Sequence, residues 1–207
     1  VQILINLKLE MSLNDVITPS LKEYNCSLQS VKISLIEFII DKLKFVLSNQ
    51  HNKNDVVNSV LNTKIVDDLP IKVILSRIDN ISKFTKNKNF KIFLANFKRI
   101  NNILKSEKFS NDPKFQLNVK LFQTSEEVNL HKCIKSFSKE IKESGVCEKS
   151  QNFLINNLIN MNELISSFFD NVIVNHDVND VKINRFCLLK NLHNLILNFA
   201  RFDLIND

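Results

Sequence analysis

The chain has 207 residues, 44% hydrophobic and 24% charged, which is ordinary for a soluble globular domain and enough to bury a sizeable core. One glycine and three prolines argue against a β-rich fold, which needs glycine-containing hairpin turns, and against a glycine-rich phosphate loop. The net charge of +6 suits a polyanion such as RNA. However, abundant Asn, Lys, Ile and Phe point to an AT-rich genome that places lysine on surfaces without functional meaning.

In chain order, the first strong signal is "SLIEFIIDKLKFVLSNQ". Ile36, Ile39, Ile40, Leu43 and Leu47 recur at three- and four-residue steps, as one buried helical stripe requires. "KNDVVNSVLNTK" (53–64) is a short helix with Asp55 near its start. "DDLPIKVILSRIDNISKFTK" carries Pro70 early, where a first helical turn tolerates it. "NKNFKIFLANFKRINNILKSEKF" places Phe90, Phe93, Leu94, Phe97, Ile100 and Leu104 on one side. Lys91, Lys98, Arg99 and Lys105 fall largely elsewhere, so this helix is both apolar and basic.

The helical period is lost over residues 106–124, where Asp112-Pro113 marks a turn and "FQLNVKLF" alternates as a short extended connector. It resumes at "SEEVNLHKCIKSFSKEIKES", with Ser125, Glu126 and Glu127 as its start and Gly145 as its C-terminal cap. "CEKSQNFLINNLINMNELISSFF" is a further amphipathic helix. The last, "NDVKINRFCLLKNLHNLILNFARF", aligns Phe186, Leu189, His193, Ile196 and Ala200. The expected fold is an all-α bundle of about seven to nine helices.

Cys26, Cys133, Cys147 and Cys187 form no CxxC pair and read as reduced thiols. His131 and His176 add no common zinc-ligand spacing, so no metal site is expected. No apolar run approaches the ~18–20 residues that span a bilayer, so no membrane partner is expected. No nucleophile–base arrangement stands out, and the catalytic set is empty. The start at Val1, directly in an apolar pattern, reads as a piece of a longer protein.

Two stretches carry a family resemblance. "FFDNVIVNHDVNDVKINRFCLLKNL" resembles the C-terminal signature of the β subunit of bacterial heterotetrameric glycyl-tRNA synthetase, Phe-Phe-Asp-x-Val-x-Val, an acidic stretch, then Asn-Arg-Leu-x-Leu-Leu. Phe168, Phe169, Asp170, Val172, Val174, Asp177, Asn184, Arg185, Leu188 and Leu189 meet it. "FKRINNILK" resembles the family's Lys-Arg-Val-x-Asn-Ile-Leu-Lys at Lys98, Arg99, Asn102, Ile103, Leu104 and Lys105. "LIEFIIDKLKFVL" and "VQILINLKLEMSLNDVI" look like the family's middle segments, so the resemblance spans essentially the whole chain. Asn175, His176 and the residues 198–201 depart from the family's usual pattern, the latter in place of Arg-Val-Ala-Asp.

The resemblance implies a DALR-type anticodon-binding helical domain of class I synthetase type over roughly residues 91–207. A helical connecting region (25–90) and the end of a preceding helical region (1–24) come before it. It implies glycine tRNA and a separate α subunit as partners, in an α2β2 bacterial cytoplasmic enzyme. ATP and Mg would be used on the α subunit, and this segment would hold no cofactor. The alternative is a helical subunit-assembly module with little RNA contact.

Lys98, Arg99, Asn102 and Lys105 form a basic, amide-bearing helix face suited to phosphates and unstacked bases, or Arg99 and Asn102 make structural contacts. Asn184 and Arg185 are further RNA-binding candidates. Arg185 either clamps a phosphate or pairs with Asp170 or Asp177 to pin the corner before the last helix. Phe168, Phe169, Asp170 and Asn171 are expected as a structural signature, the rings in the core.

Overall fold

The computed structural model describes residues 1–23, 29–49, 54–106, 116–143 and 148–206. Among these residues it is helical throughout, with nine α-helices, three short 3-10 turns and no β-strand. The helices are α1 (Gln2–Asn6), α2 (Leu13–Glu23), α3 (Gln29–Asn49), α4 (Asn54–Leu61) and α5 (Ile71–Phe84), followed by α6 (Phe90–Ser106), α7 (Ser125–Glu143), α8 (Glu148–Asn171) and α9 (Asn179–Phe199). The expected turn at Asp112-Pro113, the Gly145 cap, Cys26 and Cys147 lie outside the described residues.

Helices α6 to α9 pack in a ring, with α6 and α7 each touching both α8 and α9. Helix α5 lies along α8, while α4 and the 3-10 turn Phe202–Leu204 close one end. The period-3.6 stripe expected for α6 is the reason it sits inward: Phe93, Leu94, Phe97 and Ile100 are each at most 1% exposed. Phe202 inserts among Phe84, Phe93 and Phe97, with its ring centroid 4.9 Å from Phe93 in an edge-to-face contact. One hydrophobic cluster runs without a break from Ile5 to Ile205.

Helix ends are satisfied by specific partners. Ser12 and Asp15 cap α2 reciprocally: the Asp15 N–H donates to Ser12 Oγ (3.1 Å) and the Ser12 N–H to the Asp15 carboxylate (2.9 Å). Pro70 does not occupy the first turn of α5 but its N-cap position, and offers no side-chain cap. The backbone N–H groups of Ile71 and Lys72 donate instead to the carbonyls of Met11 and Leu9. At the far end of the bundle Arg77, 4% exposed, donates to the Asn198 and Phe199 carbonyls that end α9, both at 3.1 Å. Burial pushes the Arg77 guanidinium down to about 10, which leaves it protonated at neutral pH.

The connector before α7 differs from the expected extended segment. Val119–Leu121 is a 3-10 turn, with extended dihedrals at the flanking Asn118 and Phe122. The apolar alternation there reflects partial burial of Leu117, Leu121 and Phe122 in a turn, not a pleat. Helix α7 starts at Ser125 as expected, with Thr124 as the cap before it: the Glu127 N–H meets Thr124 Oγ1 at 3.3 Å, and the Thr124 N–H donates to Glu127 Oε2 at 2.9 Å.

Candidate nucleic-acid interface

Helix α6 turns one face to solvent. Lys98, Arg99, Asn102 and Lys105 are all exposed, and at 100° per residue they fall within an arc of roughly 120°. The flanking arcs are fixed by packing. On one side the Asn96 amide donates to Asn162 Oδ1 (2.8 Å) and Ser166 Oγ (2.9 Å) of α8. On the other, the Phe97 ring stacks on His193 of α9 at 5.4 Å, with an interplanar angle of 9°. The helix cannot rotate without breaking these contacts, so its cationic arc is held outward.

Arg99 shows how the face is ordered. Its guanidinium carbon lies 4.1 Å over the Phe169 ring, the second phenylalanine of the α8 signature. Phe169 in turn meets Phe168 edge to face at 5.7 Å, and both rings are buried, as expected for core residues. The Arg99 side chain is exposed, and its guanidinium N–H groups make no hydrogen bond among the described residues, so they can meet a phosphate or a base.

Asn184 and Arg185 have a different environment. Both are buried, at 2% and 3% exposure, and their polar atoms are engaged within the protein. Asn184 grips the backbone of Asn118 twice, accepting from its N–H at 2.8 Å and donating to its carbonyl at 3.0 Å. Arg185 Nε donates to Glu127 Oε1 at 2.9 Å, Nη1 to the Ile173 carbonyl at 2.8 Å and Nη2 to Gln123 Oε1 at 3.1 Å. One side chain thus ties the start of α9 to the corner after α8 and to the start of α7.

The corner does need a tie, but the acid is not the expected one. Asp170 and Asp177 are exposed and make no ion pair among the described residues, whereas Glu127 is fully buried against Arg185. Burial pushes the Glu127 carboxyl up. The Arg185 hydrogen bond, the Gln123 amide, the Arg185 charge and the Thr124 amide outweigh it and hold the group below its ordinary value. The signal for Glu127 was present as the Thr-x-x-Glu spacing of a capping box before an apolar run. Asn171 donates to the Ser167 carbonyl at 2.9 Å within the last turn of α8, and His176 Nδ1 accepts from the Val178 N–H at 3.1 Å in the loop that follows.

Residues 93–201, just over half of the 207-residue chain, match the DALR anticodon binding domain. The chain belongs to this family. The matched DALR segment runs from the buried face of α6 to Arg201 and includes the cationic arc, the Arg185 clamp and α9. Beyond the domain itself, the chain is similar to glycine–tRNA ligase β subunits. It is 32% identical over 206 residues to that of Buchnera aphidicola subsp. Schizaphis graminum (strain Sg), covering 97% of this chain and 28% of the relative. Identity to the β subunit of Rickettsia peacockii (strain Rustic) is 29% over 203 residues, covering 98% of this chain and 29% of the relative. The chain therefore spans less than a third of the length of these curated relatives. Among the described residues no cluster of metal-ligating side chains occurs, and no helix is long and apolar enough to cross a membrane.

Proposed function

We propose that the chain is the tRNA-binding segment of a glycine–tRNA ligase β subunit and recognises the anticodon arm of glycine tRNA. The observation that carries this is the outward cationic arc of α6 inside a DALR domain, in a chain similar along almost its whole length to β subunits. Lys98 and Lys105 would position the phosphate backbone, and Arg99 and Asn102 would bond unstacked bases. Ligation with ATP and Mg would take place on a separate α subunit, in an α2β2 assembly of the bacterial cytoplasm. This segment would then hold no cofactor and contribute binding rather than chemistry. The boundaries proposed for it are 91–207 for the anticodon-binding unit, with 25–90 and 1–24 before it.

The test is binding of anticodon stem-loops at two salt concentrations. The expected result is a preference for the glycine anticodon loop, with affinity falling as salt rises through counterion release. Equal affinity of an Arg99→Ala/Asn102→Ala variant that retains its fold would remove these residues from the interface. One observation favours a second reading, subunit assembly: the first 49 residues expose Ile3 (71%), Phe38 (57%) and Phe45 (68%). Retained capture of the α subunit with no loop binding would select that reading.

A further inference from the structure

A second polar surface lies across α9 from the α6 arc. An open cleft of about 680 Å3 separates α7 from α9. Its floor is apolar, formed by Ile134 and Leu195, and its α9 wall is a row of three amides, Asn191, Asn194 and Asn198. These stand at i, i+3 and i+7, so one helix face presents them together. All three are exposed, and among the described residues their side chains make no hydrogen bond. Asn96, Asn118, Asn162 and Asn184, by contrast, each bond a protein partner.

The opposite wall supplies cations and a ring. His131 and Lys135 of α7 face the amide row across the cleft. Burial, then the Lys135 charge, holds the His131 imidazole below its ordinary value, so it is a neutral aromatic plane at neutral pH. A second cavity of about 320 Å3 is also lined by Asn194 and Asn198 and adds Lys64 and Arg201. Arg201 is partly engaged, bidentate with Asp203 at 2.9 and 2.7 Å.

We infer that the α7–α9 cleft is a binding site for unpaired RNA bases, with the Asn191, Asn194 and Asn198 amides bonding base edges and Lys135 and Lys64 meeting the phosphates. The inference rests on the proposed tRNA reading and adds to the α6 arc a second surface that contacts unpaired bases. Three matches of chemistry support it. An apolar floor and a neutral imidazole suit the flat faces of unstacked bases. An amide offers donor and acceptor on one group, the complement of a base edge that carries both. A volume of several hundred Å3 admits a base with its sugar but not a duplex. Codon bias accounts for many asparagines in this chain; what sets these three apart is their register along one cleft, opposite His131 and Lys135.

The experiment compares the full chain with three variants by fluorescence anisotropy on a glycine anticodon stem-loop and on its stem closed as a plain duplex. Asn194→Ala/Asn198→Ala is expected to weaken loop binding at least about ten-fold, with duplex binding unchanged. Lys135→Gln should lower the salt slope by about one for the stem-loop and leave the slope for the duplex unchanged. Because these side chains are exposed, urea midpoints should match the parent, and 4-thiouridine in the loop should crosslink within residues 131–139 or 191–198. Wild-type affinity in the cleft variants, with loss in Arg99→Ala/Asn102→Ala and crosslinks confined to α6, would overturn the cleft and keep the tRNA reading. Absence of salt-dependent loop binding by the parent chain would overturn both.

Discussion

Two arginine–asparagine pairs, on α6 and at the start of α9, have the same chemistry in sequence and opposite fates in the fold. Arg99 and Asn102 are exposed, and the Arg99 plane rests on Phe169. Asn184 and Arg185 are buried and saturated by the Asn118 backbone, Glu127, Ile173 and Gln123. The difference teaches that an arginine in a lysine-favouring chain marks a demand for a planar fork, and that burial decides who makes the demand. Arg77, capping the last carbonyls of α9, and Arg185 both serve the fold, whereas Arg99 stands exposed over Phe169.

The largest expected effect is at the clamp. Arg185→Met leaves the Glu127 carboxylate buried without its cation and should cost about 3–5 kcal/mol of unfolding free energy, read by urea denaturation. Adding Glu127→Leu should recover only part of this, because the Gln123 and Thr124 amides then lose their acceptor. Full recovery would mean that the capping bonds contribute nothing and that the pair alone orders the corner.

The clamp also sets an acid sensitivity. Glu127 lies below its ordinary value when folded, so its contribution is complete above the unfolded carboxylate value and is lost as pH falls through the folded one. The stability gap between the parent and Glu127→Gln should therefore shrink as pH is lowered into that window. A gap independent of pH would show that charge is not what the clamp uses.

Asn184→Ala comes next. It deletes both bonds to the backbone of the exposed Asn118, at a cost of about 1–2 kcal/mol. The same two bonds explain why the connector escaped sequence reading. "FQLNVKLF" alternates like a strand, but the Asn118 N–H and carbonyl are taken by a side chain 66 residues away, not by a neighbouring strand. Local pattern carried what depends on local pattern. The α6 stripe, the α3 stripe of Ile36, Leu43 and Leu47, and the burial of Phe168 and Phe169 all follow from periodicity and side-chain size. Partner choice did not: Arg185 has three acids within 15 residues of it, Asp170, Asp177 and Asp180, yet pairs with Glu127, 58 residues distant. The cleft amides were hidden for another reason, since a chain rich in asparagine gives an i, i+3, i+7 row no contrast until the packing shows which amides have partners.

Arg99→Ala should have the smallest effect on the fold and so gives the sharpest test of the comparison. Losing an exposed cation–π contact is expected to cost about 0.5–1 kcal/mol, within reach of a small shift in the urea midpoint. Arg99→Lys keeps the charge but not the planar stack, and should behave almost like the parent in stability at this exposed site. The two variants part in RNA binding: if the fork bonds a base or a phosphate in two places, lysine fails to rescue the loop affinity that alanine loses. Rescue by lysine would reduce Arg99 to a point charge. A stability loss as large as that of Arg185→Met would erase the distinction between the two pairs and place Arg99 with the frame.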